Sequence, residues 1–156
     1  MLSPHRHRGF TLVEMIVTLI IIALIAAVSG PVFFNVNTFR ESGFYDETVS
    51  AVRYAQKYAV ASGCTVRVQT TATGFTLYRP AAVANCNTLG SYTTPLTDPS
   101  GNATTFTRTA PSGVALSAAD FAFTASGSAS VSPSLVITVG SRQLTVIGET
   151  GFVQAQ

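Results

Sequence analysis

One carboxylate inside an otherwise unbroken apolar run constrains this chain more than any other feature. Residues 10 to 28, FTLVEMIVTLIIIALIAAV, hold Glu14, two threonines and no other polar side chain. At the helical rise the run is about 28 Å long, against roughly 30 Å for a bilayer hydrocarbon core. The segment before it, residues 1 to 9, carries Arg6 and Arg8 and no acid. The positive-inside rule keeps such a segment cytoplasmic and sends the bulk of the chain across the membrane. An ionisable group at membrane depth costs about 2.5–3.5 kcal/mol on insertion scales and asks for a functional explanation.

Three readings of this segment compete. A secretory signal peptide would be cut near Ala27-Val28-Ser29, a small-x-small site, but the run is longer than a usual signal core and Glu14 lies within it. A plain membrane anchor leaves Glu14 as an unexplained cost. A cut between Gly9 and Phe10 explains it. The new α-amine of Phe10 then stands four residues before Glu14, on one helix face. An ion pair at 4 Å contributes about 4 kcal/mol at an effective dielectric of 20, enough to offset the insertion cost. An unpaired Glu14 would likewise draw in the amine of a neighbouring helix, which turns the acid into an assembly device.

With these residues in place, Gly9-Phe10-Thr11-Leu12-Val13-Glu14, behind a short basic leader and ahead of a long apolar helix, resembles the type III signal of type IV pilins and type II secretion pseudopilins. Pro31 falls where that family's helix bends; it also lacks an N–H and clashes with the carbonyl of Ala27, so a kink is expected there. The resemblance implies that an inner-membrane prepilin peptidase cuts after Gly9 and N-methylates Phe10, and that Glu14 carries assembly. It further implies a single pass with a periplasmic carboxyl-terminal domain, then incorporation into a pilus or pseudopilus. The implied partners are other pilin or pseudopilin subunits, the peptidase, the inner membrane and assembly platform proteins. Tip pseudopilins often lack the acid, so Glu14 argues for a subunit with neighbours above it.

Beyond the kink, helical periodicity resumes, with Ser42-Gly43 a soft point. Between Tyr45 and Ala61 it presents two faces: Tyr45, Val49, Val52, Gln56, Ala59 and Val60 on one side, and Ala51, Tyr54, Tyr58 and Ala61 on the other. The valine face is assigned to the domain's own sheet. The tyrosine face either meets neighbouring subunits or covers a loop. Ser62-Gly63 ends the helix. Alternation over Thr65–Gln69 and Phe75–Tyr78 around Thr73-Gly74 reads as a hairpin, and Leu135–Val139 with Gln143–Ile147 around Gly140-Ser141-Arg142 as a second. Val114–Leu116 and Phe121–Thr124 are further strand candidates, and Gly151-Phe152-Val153 a short last one. Residues 80 to 105 read mostly as loop.

The expected fold is therefore α+β and pilin-like, a long helix on an antiparallel sheet. The expected parts are a cleaved leader (1–9), a membrane and filament-core helix (10–31), an amphipathic helix (32–63), and a periplasmic β-domain (64–156) with a variable loop at 80–105. The stretch Val52 to Val66 and the ending Leu144 to Val153 are similar to pseudopilin H and to the C-type minor pilin of mannose-sensitive haemagglutinin pili.

Composition excludes most chemistry. Both histidines, His5 and His7, precede the run, so a shortened chain has none for general base or metal-ligand duty. Cys64 and Cys86 form an even pair in an exported chain and read as a disulfide; the alternative, a reactive thiol, lacks a Cys-x-x-Cys spacing. Asp98-Pro99-Ser100-Gly101-Asn102 offers one carboxylate for calcium, and a plain turn is the simpler reading. Lys57, the sole lysine, has no nucleophile elbow or oxyanion hole in sight. No enzyme, cofactor or metal is expected. Past the leader seven basic residues face seven acids (nine less Arg6 and Arg8 against seven), which argues against nucleic acid. The rival class is a receptor: an adhesin acting through the loop from Pro80 to Thr105, or a DNA-binding subunit using Arg142 at a hairpin tip with Arg108 nearby.

Overall fold

The computed structural model describes residues 10–33, 36–81, 86–87, 92–101 and 105–156, with side chains from 10 to 27 in the first of these stretches. The chain divides into two compact units, Met1–Val36 and Asn37–Gln156.

In the first unit, α1 runs over Leu12–Phe33 and includes Pro31. Its side chains from Leu12 to Ala27 are all exposed. A helix that is apolar all round gains its stability from being covered on every side. Among the described residues no helix is long and apolar enough to cross a membrane; the part of α1 with described side chains ends at Ala27, a rise of about 24 Å.

Among the described residues, the second unit holds α2 (Val36–Ser62) from Asn37 onward and eight strands in two antiparallel sheets. One is built from β1 (Val66–Thr71), β2 (Gly74–Pro80), β3 (Tyr92–Pro95), β4 (Thr107–Thr109) and β5 (Ala119–Phe123), in the order β3-β2-β1-β5 with β4 also on β2. The other has β6 (Ser134–Val139), β7 (Arg142–Ile147) and β8 (Val153–Ala155) in sequence order. Alternation drives both: Val66 and Val68 point inward between Arg67 and Gln69, and Ile137, Val139, Leu144 and Val146 do the same in the second sheet. These side chains share one core with Phe44, Tyr45, Val49, Val52 and the alanines of α2. Ala51, Ala55 and Ala59 follow one another at four-residue spacing and are fully buried, so a stripe with no side chain beyond Cβ lets the helix backbone approach closely.

Both expected hairpins form, β1–β2 in the register Arg67↔Tyr78 and β6–β7 in the register Val139↔Arg142. Three expectations are corrected. The sheet is split in two, joined by irregular backbone: Ser117 N–H donates to Thr138 O (2.9 Å), Gly140 N–H to Ala115 O (2.7 Å) and Ala129 N–H to Gly148 O (2.8 Å). Val114–Leu116 is part of that seam, touching β6 through the single bridge Leu116↔Val139; its buried valine and leucine mimic a strand pattern. The stretch 80–105 is more than loop, since β3 lies in it and Leu96 is 1% exposed. Threonine and proline carry β3 and threonine β4, so neither shows apolar alternation.

Candidate functional site

The start of α1 is held by its own sequence. Glu14 N–H donates to Thr11 Oγ1 (3.3 Å) and Met15 N–H to Thr11 O (3.2 Å). Thr11 is thus the N-cap, and Glu14 occupies the third helical position, where a carboxylate faces the positive end of the helix dipole. Thr11-Leu12-Val13-Glu14 is a capping-box pattern, a signal that the membrane argument passes over. Phe10 and Glu14 are exposed, with Phe10 directly before the cap. A cut after Gly9, which lies outside the described residues, would place a cation at the mouth of the turn that holds the acid. Pro31 sits near the end of α1.

The domain end of α2 is tied down by polar contacts along its length. Glu41 accepts from the Ser141 N–H (2.6 Å) and hydroxyl (2.5 Å) at the β6–β7 turn, and these bonds hold its carboxyl below the usual range. Arg142 lies 3.9 Å from the Tyr45 ring centroid and 3.9 Å from Asp46. The Tyr45 hydroxyl donates to Gln143 O (2.8 Å) and accepts from Gln156 N–H (2.8 Å). Arg108 of β4 bridges Glu47 of α2 and Asp98 of the preceding turn, with Phe106 under its guanidinium at 5.2 Å. Asp98 also accepts from the Ser100 N–H (2.8 Å) and hydroxyl (2.7 Å). It is 4% exposed, and Arg108 beside it, then Ser100, lowers its pKa to about 2.

Several candidate side chains have partners within the domain. The carboxylate offered to calcium is committed to Arg108 and Ser100 in a turn closed by Gly101 N–H to Asp98 O (3.3 Å). Among the described residues no group of three or more His, Cys, Asp or Glu side chains could hold a metal ion. Arg108 is placed by Glu47 and Asp98, and Arg142 by Asp46 and Tyr45, so both arginines proposed for DNA are engaged inside the domain. Lys57 is exposed on α2. Tyr54 and Tyr58 are half-buried and pack on the core, Tyr54 stacking on Phe106 at 5.4 Å. The tyrosine face therefore covers its own domain, while Val60, assigned to the sheet, is exposed.

Cys64 and Cys86 are bridged, 4.9 Å apart at Cα. The Cys86 carbonyl also accepts from the Thr65 N–H (2.9 Å) and hydroxyl (2.7 Å). The end of α2 and the loop after β2 are thus joined twice.

Two family models match the chain. The prokaryotic N-terminal methylation motif covers residues 4–30, and type II transport protein GspH covers residues 46–151. No curated protein matches. Among solved structures, the type IV minor pilin FimU of Pseudomonas aeruginosa is similar in two crystal forms. One has TM-score 0.52 and 14% identity over 74% of this chain and 91% of that one. The other has TM-score 0.51 and 15% identity over 77% and 90%. At that identity the likeness speaks for the fold, a long helix ahead of antiparallel sheets.

Proposed function

The chain belongs to the type II transport protein GspH family, whose members are pilin-class structural subunits rather than enzymes, and from that premise we propose how it is made and used. It is synthesised as a precursor, inserted through residues 10–28 with its domain in the periplasm, cut after Gly9 by a prepilin peptidase and N-methylated on Phe10. The processed chain enters a thin fibre, either a pilus like the mannose-sensitive haemagglutinin type or a secretion pseudopilus, on an assembly platform in the inner membrane. The apolar helix joins the fibre core and bends at Pro31, and the β-domain faces outward.

One observation carries this reading. The helix is apolar on every side and exposed, and its single acid sits one turn from Phe10. Such a helix needs neighbours or lipid around it, and Glu14 needs a cation. The Phe10 amine meets that need, for about 4 kcal/mol at 4 Å and an effective dielectric of 20. Glu14→Ala should leave cleavage at Gly9 intact and reduce the share of chain recovered in sheared fibres at least tenfold. Normal recovery would refute the pairing, and an intact mass that does not begin at methyl-Phe10 would refute the processing.

A further inference from the structure

Among the described residues, Arg53 and Lys57 of α2 have no carboxylate within ion-pair distance. Arg53, Lys57 and Val60 follow at spacings of four and three, so they share a face, and all three are exposed. Arg53 Nη2 donates to the Val153 carbonyl (3.1 Å), and Gln56 Nε2 donates to the Thr150 carbonyl (3.0 Å). These bonds bring the turn before β8 against this face, and Phe152 lies between the two anchored residues. Phe152 is nonetheless 56% exposed and Val60 54% exposed. Val60 borders the same place, since a Cβ on Gly127 would stand 3.1 Å from its Cγ2, and Gly127 O accepts from Gln56 (3.0 Å). The result is a patch of two large apolar side chains beside two cations. Glu149 of the same turn leaves it one net positive charge (two cations less one acid).

We propose that this patch is a docking surface for a different subunit of the fibre, one with an acidic face. The inference rests on the fibre reading above. An aromatic side chain with an arginine beside it is the composition of an interface centre, and the charge says what lies opposite. A second copy has little unpaired acid to offer. Of the chain's seven acids, four are paired with arginines, Asp46 with Arg142, Glu47 and Asp98 with Arg108, and Asp120 with Arg67, and Glu41 is bonded to Ser141 at the β6–β7 turn. That leaves Glu14 on the apolar helix and Glu149 on the patch itself.

The test places photoreactive benzoylphenylalanine at position 152, and at position 16 of the apolar helix as a control, in the full chain made alongside its own assembly system. The expected product at 152 is an adduct with another pilin-class subunit, through a peptide rich in Asp and Glu. Lys57→Glu should lower its yield about fivefold, as expected for one like-charge contact, while the Cys64–Cys86 bridge still forms. An adduct with a second copy, or a yield indifferent to Lys57→Glu, overturns the proposal. So does an adduct at 16 with none at 152, which leaves the fibre reading standing. No adduct at either position overturns both.

Discussion

Replacing both cysteines by serine tests how the variable loop is held. The bridge links residues 22 apart in sequence, and closing a loop of that size contributes about 3 kcal/mol in the chain-entropy model by restricting the unfolded chain. The folded end of the loop has a second attachment, the Thr65 N–H and hydroxyl on the Cys86 carbonyl at 2.9 and 2.7 Å. Each such bond is worth about 1 kcal/mol net, and neither needs the sulfurs. The double variant should therefore stay folded with its loop in place and lose only stability. Urea titration of the mature chain in detergent, followed by near-UV circular dichroism, should show the midpoint lowered by about 1–3 M for a slope of about 1–3 kcal/mol per M. Hydrogen exchange should still find the Thr65 amide protected under native conditions. An unchanged midpoint would refute the entropic argument. A Thr65 amide that exchanges freely in the native variant would refute the double attachment.

Other expectations follow from single contacts. Leu96→Ala should cost about 2–5 kcal/mol in the same titration, because Leu96 is a core residue inside a stretch that reads as loop; a loss under 1 kcal/mol would put it outside the core. Gly151→Ala should cost more than about 2 kcal/mol, since φ is +64° and a Cβ would lie 2.0 Å from Gly127 O. Near-normal stability would show that the turn shifts freely. Asp98 has a depressed pKa of about 2 in the folded chain, so its contribution is present above the unfolded carboxyl value of about 3.9 and is lost as pH falls from there towards 2. Asp98→Asn should flatten the stability profile in that window and leave the slope near neutral pH unchanged; a profile that keeps its slope would count against the Arg108 pairing.

Much of this protein is legible along the chain because its signals are local. Capping, the apolar run and the position of Glu14 depend on residues within one or two turns. The hairpins β1–β2 and β6–β7 depend on alternation around a short turn. Contacts across long separations left no such trace. Arg108 meets Glu47 sixty-one residues away, and Glu41 reaches Ser141 across one hundred; nothing near either arginine or glutamate in sequence marks its partner. β3 and β4 are stabilised by pairing with β2 and not by their own apolar pattern, so β3 reads as loop and β4 leaves no strand signal.

Tyr54 shows the same division. Its spacing puts it opposite the valines, but whether that face meets a neighbour or its own domain depends on Phe106, which arrives from fifty-two residues later to stack on it (106 less 54). The sequence by itself determined the helix that must be covered, the acid within it and the strands that alternate, because helix and strand periods are set by adjacent residues. The tertiary structure alone decided which faces are spent inside the domain and which remain open, because burial and ion pairing depend on groups that only folding brings together.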